Sequence, residues 1–94
     1  MILYAIYDKK AEYYLMPFFA ETEIQAKRIV INSALADTDC SLNRFSQDFR
    51  LDKLAILNPN NGKIHSDVTT VAEVQSLLMA YQSTNGDDNI VEEV

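Results

Sequence analysis

Little in this chain can be cross-linked, ligated or activated. The single cysteine, Cys40, excludes an intramolecular disulfide and a cysteine-built zinc site. The fold must stand without staples, as in a reducing cytosol. The single histidine, His65, has no second histidine or glutamate at metal-ligand spacing. Ser66 adjoins His65, and neighbours on a strand face opposite ways, so a Ser-His pair is not set up. Asp8, Glu12, Glu21, Asp52 and Asp67 are scattered as turn and edge residues, not gathered as a two-metal site requires. Asn61-Gly62-Lys63-Ile64 lacks the other glycine and the hydroxyl of a phosphate loop, and a hairpin turn explains it. These gaps predict a non-enzymatic protein without metal or cofactor.

Long apolar runs are also missing. The N-terminal stretch Met1 to Tyr7 is interrupted by Asp8 and has no basic leader or small-residue cleavage site. No stretch approaches the ~18 residues of a spanning helix, so no membrane association is expected. With 94 residues, 48% of them apolar and 23% charged, the composition is that of one globular domain. Such a chain buries roughly 60–65% of its unfolded surface, enough for one core but not for a cleft between two domains.

Positive charge is scarce. The net charge is −6, unevenly spread: residues 1–82 hold ten acids against eight bases, and 83–94 hold four acids and no base. That argues against broad nonspecific phosphate binding but leaves room for a local patch. The division predicts a single α+β domain over 1–82 and a flexible acidic tail over 83–94.

Patterning supplies the fold. Ile2–Tyr7 and Glu12–Phe19 read as two strands of a hairpin, both apolar on two faces. Pro17 places the end of the second strand at an edge or a bulge. Thr22-Glu23-Ile24-Gln25 is a capping box that opens a helix to about Ala36. Ile24, Arg28, Ile31 and Leu35 form one stripe of it, with Ala26, Val30 and Ala34 alongside. Asp37–Asp48 reads as a loop with room for a short helical turn. Phe49, Leu51, Lys53, Ala55 and Leu57 alternate with Arg50, Asp52, Leu54 and Ile56. Asn58-Pro59-Asn60-Asn61-Gly62 then turns the chain into a short strand, Lys63–Ser66. A second capping box, Thr70-Val71-Ala72-Glu73, opens a helix whose stripe is Val71, Val74, Leu77, Leu78 and Tyr81. The order β-β-α-β-β-α predicts a four-stranded, mostly antiparallel sheet with two helices on one face. The other face, carrying several of Tyr4, Tyr13, Tyr14, Phe18 and Phe19, would then suit a homodimer or a ligand.

Aromatics beside cations are what single-strand nucleic-acid binding requires: rings stack bases and cations hold phosphates. Lys9, Lys10, Arg28, Arg44, Arg50 and Lys53 are the candidate cations, and Tyr13, Tyr14 and Phe18 the candidate rings. The same residues also read as core, dimer interface and solubilising charge. The tail, with Asp87, Asp88, Glu92 and Glu93 around Ile90, Val91 and Val94, reads equally as a competitor for a basic groove, a docking segment or a solubilising end.

Several short pieces carry a family likeness. They are Leu3-Tyr4-Ala5-Ile6-Tyr7-Asp8, then Met16-Pro17-Phe18-Phe19 leading into Ala26-Lys27-Arg28. Phe49-Arg50-Leu51 with Leu54 follows, and then the turn Asn60-Asn61-Gly62-Lys63-Ile64. Over roughly residues 2–82 the chain resembles the small nonstructural protein of gokushoviruses, phages of the Microviridae with single-stranded DNA genomes. The resemblance implies a DNA-binding, replication-associated protein of the bacterial host cytoplasm, absent from the mature virion. Its expected partners are single-stranded DNA and host or phage replication proteins. An acidic adaptor that engages a host replication or defence protein without touching DNA is the alternative.

Overall fold

The structure, a computed structural model, describes residues 1–84. Strands β1 (Ile2–Asp8) and β2 (Tyr13–Ala20) precede helix α1 (Glu23–Ala36). A short helix α2 (Ser41–Arg44) and a 3-10 turn (Ser46–Asp48) lead to β3 (Phe49–Leu57), β4 (Ile64–Glu73) and α3 (Val74–Thr84). The four strands form one antiparallel sheet in the order β2-β1-β3-β4.

Each turn is written in side-chain chemistry. Asp8 Oδ1 accepts from the amides of Lys10 (2.9 Å) and Ala11 (3.0 Å), and Glu12 closes the first hairpin with φ 62°. Asn58 Oδ1 accepts from the Asn60 amide (2.9 Å), and Gly62 takes φ 75° in the second. The Thr22 hydroxyl accepts from the Gln25 amide (3.1 Å), as the capping box predicts. The Gln25 side chain returns to the amide of Glu21 (2.7 Å) instead of Thr22, so the box closes one residue earlier than expected.

Both helices pack on one face. Ala26, Val30 and Ala34 of α1 and Val74 and Leu78 of α3 share one core with Tyr4, Ile6, Ala20, Phe49 and Leu51 of the sheet. The small side chains of Ala26 and Ala34 bring α1 close. The expected stripe through Ile24 and Arg28 is corrected: both are exposed, and the buried line runs beside it. At the end of α1, the Ala34 carbonyl accepts from Asn43 Nδ2 (3.1 Å) and from the Cys40 thiol, so the uneven 37–48 segment serves as a C-terminal cap.

Two sequence expectations fail on β4 and β3. The strand β4 continues to Glu73, pairing Thr69 with Lys53 and Thr70 with Asp52, where a capping box is expected. Glu73 is spent on Lys9 (2.6 Å), and β-branched Val68 to Val71 suit the ladder, so the helix starts at Val74. In β3, Leu54 is an extra residue: Lys53 opposes Tyr4 while Ala55 opposes Leu3. This bulge moves Ala55 off the face that Phe49, Leu51 and Lys53 share. Pro17 behaves as expected, since β2 is an edge strand with an extra residue where Met16 takes φ 55°. Helix α3 runs two residues past the predicted domain boundary, and the rest of the predicted tail lies outside the described residues.

The predicted aromatic face is also redistributed. Tyr4 and Phe18 stack on each other (5.7 Å between centroids) on the helix side, Tyr4 fully buried. Tyr14 and Phe19 oppose Tyr7 and Leu3 on the other face.

Candidate functional site

The face without helices has its own order, set by the register. Its first row across the four strands is Tyr14, Tyr7, Arg50 and Glu73. The second holds Ala5, Asp52 and Thr70, and the third Phe19, Leu3, Ala55 and Ser66. Polar and aromatic groups thus gather at the β1–β2 hairpin end, and apolar groups lie beyond.

Asp52 is the one buried charged residue among those described, with 0% exposure, although no helix covers it. The Tyr14 hydroxyl donates to its Oδ2 (2.6 Å), and Arg50 Nε donates to both of its oxygens (3.1 and 3.2 Å). Tyr14 is on β2 and Asp52 on β3, so the phenol crosses β1. It passes over Ala5, which pairs with Asp52 and is buried beneath it. A larger residue at position 5 would fill the space the ring occupies.

Arg50 lies over the Tyr7 ring, its guanidinium carbon 4.3 Å from the centroid. Tyr7 packs on Tyr14 at 4.8 Å. The hydrogen bond to Asp52, and then burial, raise the Tyr14 pKa above the ordinary phenol value. Burial works against the Arg50 cation, but its hydrogen bonds to Tyr14 and Asp52 outweigh that and raise its pKa. The result is a rigid aromatic and guanidinium surface. Five donors belong to an arginine; Nε serves Asp52, and the side chain stays 29% exposed, so part of the guanidinium can meet another acceptor.

A family profile described as Phage ORF5 protein matches residues 1–78. The chain belongs to the Phage ORF5 protein family. Neither curated proteins nor solved structures give a match. This is therefore a phage protein, and its site is read from its own geometry.

Within this ORF5-family fold, the predicted site residues separate into three groups. Tyr14 and Arg50 join Tyr7 and Asp52 on the open face. Lys9, Lys10 and Tyr13 stand at the same hairpin end, with Lys9 ion-paired to Glu73 (2.6 Å). The Lys9 amide donates to Asp48 O (2.8 Å), and the Asp48 amide donates to Phe45 O (2.8 Å). These bonds bring Arg44, stacked on Phe45 at 5.3 Å, toward that end. Phe18, Arg28 and Lys53 are not part of it: Phe18 packs on Tyr4, Arg28 lies on α1, and Lys53 shares the helix-side face.

Sequence reasoning omits Tyr7, Asp52, Glu73 and Ala5 from the site. One signal was available for Asp52. A carboxylate between Leu51 and Lys53 in a strand two residues after Arg50 shares a face with that arginine. Among the described residues no group of three or more His, Cys, Asp or Glu side chains is placed to hold a metal, and no helix is long and apolar enough to cross a membrane.

Proposed function

We propose that this phage protein is a non-enzymatic accessory factor that binds single-stranded DNA on its open sheet face. In that role it would favour single-strand genome synthesis and packaging in the host cytoplasm, as in the gokushovirus proteins it resembles. The observation that carries this reading is the open face itself. Tyr7, Tyr14 and Phe19 present rings on a four-stranded sheet whose helices lie behind it, with the Arg50 guanidinium among them. Sheet aromatics flanked by cations stack unpaired bases and hold the intervening phosphates.

The electrostatics define how such binding behaves. Lys9 is committed to Glu73 and Arg50 to Asp52, so Lys10, Arg44 and the outer edge of Arg50 are the cations at hand. Stacking would supply most of the affinity. With two to three phosphates engaged, the logarithm of the binding constant falls against that of salt with a slope of about −1.4 to −2.

Fluorescence anisotropy with a labelled single-stranded oligonucleotide tests this. Phe19→Ala and Lys10→Ala, both at exposed positions, should each weaken binding, and Arg28→Ala should leave it unchanged. Absence of binding at low salt, or equal effects of all three substitutions, would overturn the reading. The net charge of −6 favours a second reading, an acidic adaptor that binds a host replication or defence protein without contacting DNA. That reading predicts capture of such a partner after nuclease treatment.

A further inference from the structure

The two outer strands of the sheet are not equivalent. On β2, Pro17 has no amide hydrogen, and the extra residue at Met16, φ 55°, bends the strand. On β4 there is no Pro, Gly, Lys or Arg in ten residues, and every residue from Ile64 to Thr70 is exposed. Ile64 and Val68 are 67% and 61% exposed. Ser66 opposes Ala55 and Thr69 opposes Lys53, so β4 carries an extra residue between them, and Asp67 and Val68 have no directly opposed partner on β3. β4 is thus irregular as well, with a second shift between Leu51 and Asp52, but unlike β2 it has no proline and keeps every amide hydrogen along its outer edge.

The residues there are self-complementary. Ile64-His65-Ser66-Asp67-Val68 reads apolar, base, small, acid, apolar. Laid antiparallel on a second copy about Ser66, Ile64 meets the partner's Val68, and His65 meets the partner's Asp67. Ser66 meets its own counterpart on the axis. Each contact occurs twice by symmetry, and aliphatic and acid–base cross-strand pairs both favour antiparallel pairing.

We infer that the Ile64–Val68 segment of β4 is a pairing site for a second copy of this chain, joining two sheets edge to edge into one of eight strands. The open faces then run on from one copy to the next. Three strand spacings of ~4.8 Å separate the two β3 strands, and Arg50 lies five residues along β3 from Ala55, which opposes Ser66, so the two Arg50 residues share one surface but lie toward opposite ends of it. The pairing does not depend on the DNA reading.

Sedimentation equilibrium of the full chain over a wide concentration range tests it, with a reversible dimer expected. His65→Asp sets a carboxylate against the partner's Asp67 at both symmetry-related contacts and should weaken association by at least about tenfold. Adding Asp67→His to the same chain exchanges acid and base and should restore it. With Cys40→Ser, a Ser66→Cys variant should form a disulfide dimer on mild oxidation, whereas Thr69→Cys, displaced from the axis, should not. A monomer at every concentration, a dimer indifferent to His65→Asp, or a double substitution that fails to recover association would each overturn the inference. Circular dichroism on every variant confirms that these exposed positions leave the fold intact.

Discussion

A carboxylate with no exposure, such as Asp52, persists only with partners, and Tyr14 and Arg50 are those partners. Tyr14→Phe removes a donor from this charge. Because the phenol is itself partly exposed, water replaces some of what is lost, and the expected cost is about 1 kcal/mol in urea denaturation at neutral pH. The alkaline behaviour follows from the raised pKa of Tyr14, caused first by its hydrogen bond to Asp52. A group whose folded value is raised contributes fully below its unfolded value, about 10 for tyrosine. That contribution is lost as pH climbs through the folded value. Phenolate absorbance should therefore show late-titrating tyrosines, Tyr14 and the buried Tyr4, and Tyr14→Phe should remove one of them. Ala5 was legible only as part of an apolar strand. Its small size matters because a ring from the next strand crosses it, a relation between three strands that no periodicity along one strand expresses.

At the level of elements, two capping boxes of the same pattern have different fates. Thr22 caps α1 through its hydroxyl, while Thr70 is a ladder residue opposite Asp52. Thr22→Ala should cost about 1 kcal/mol, and Thr70→Ala only a few tenths, as for an exposed strand position. Thermal denaturation of the pair distinguishes a cap from a look-alike. Local sequence could not separate them, because what decides is whether β3 offers the backbone a partner. The order of elements, both hairpins and the first cap were legible, since each is set by residues a few positions apart. The bulge at Leu54 was not, because an extra residue appears only against the strand opposite. It sent Ala55 to the open face and left the predicted alternation correct only through Lys53. The second turn gives a further test. Gly62 has φ 75° with no atom within 4 Å of an added Cβ, so Gly62→Ala meets conformational strain without a clash. It should cost about 1 kcal/mol.

Over the whole molecule, the sheet divides aromatic neighbours between two environments. Phe18 packs against Tyr4 beneath the helices, and Phe19, 49% exposed, faces outward beside Leu3. Phe18→Asp should abolish cooperative unfolding, while Phe19→Asp should keep the fold and change only what the open face binds. Near-ultraviolet circular dichroism of the two variants reads this directly. The candidate site is partly legible in the sequence: composition and placement point to Tyr14 and Arg50, but not to the burial side of Phe18, because a two-sided apolar strand does not reveal which side the helices take.

The bulge at Met16 and Pro17 has a last consequence, for how far copies of this chain can join. An open-ended fibre needs two reactive ends on every unit; both outer strands are bulged, but only β2 also carries a proline without an amide hydrogen. A unit with one reactive end is monovalent. If two copies pair through β4 as inferred, the β2 strands are left outside, where Pro17 and the bend at Met16 disfavour further pairing. On that pairing, raising the concentration would fill the dimer without extending it, and the kink in β2 would act as a chain terminator for an exposed, β-branched edge strand.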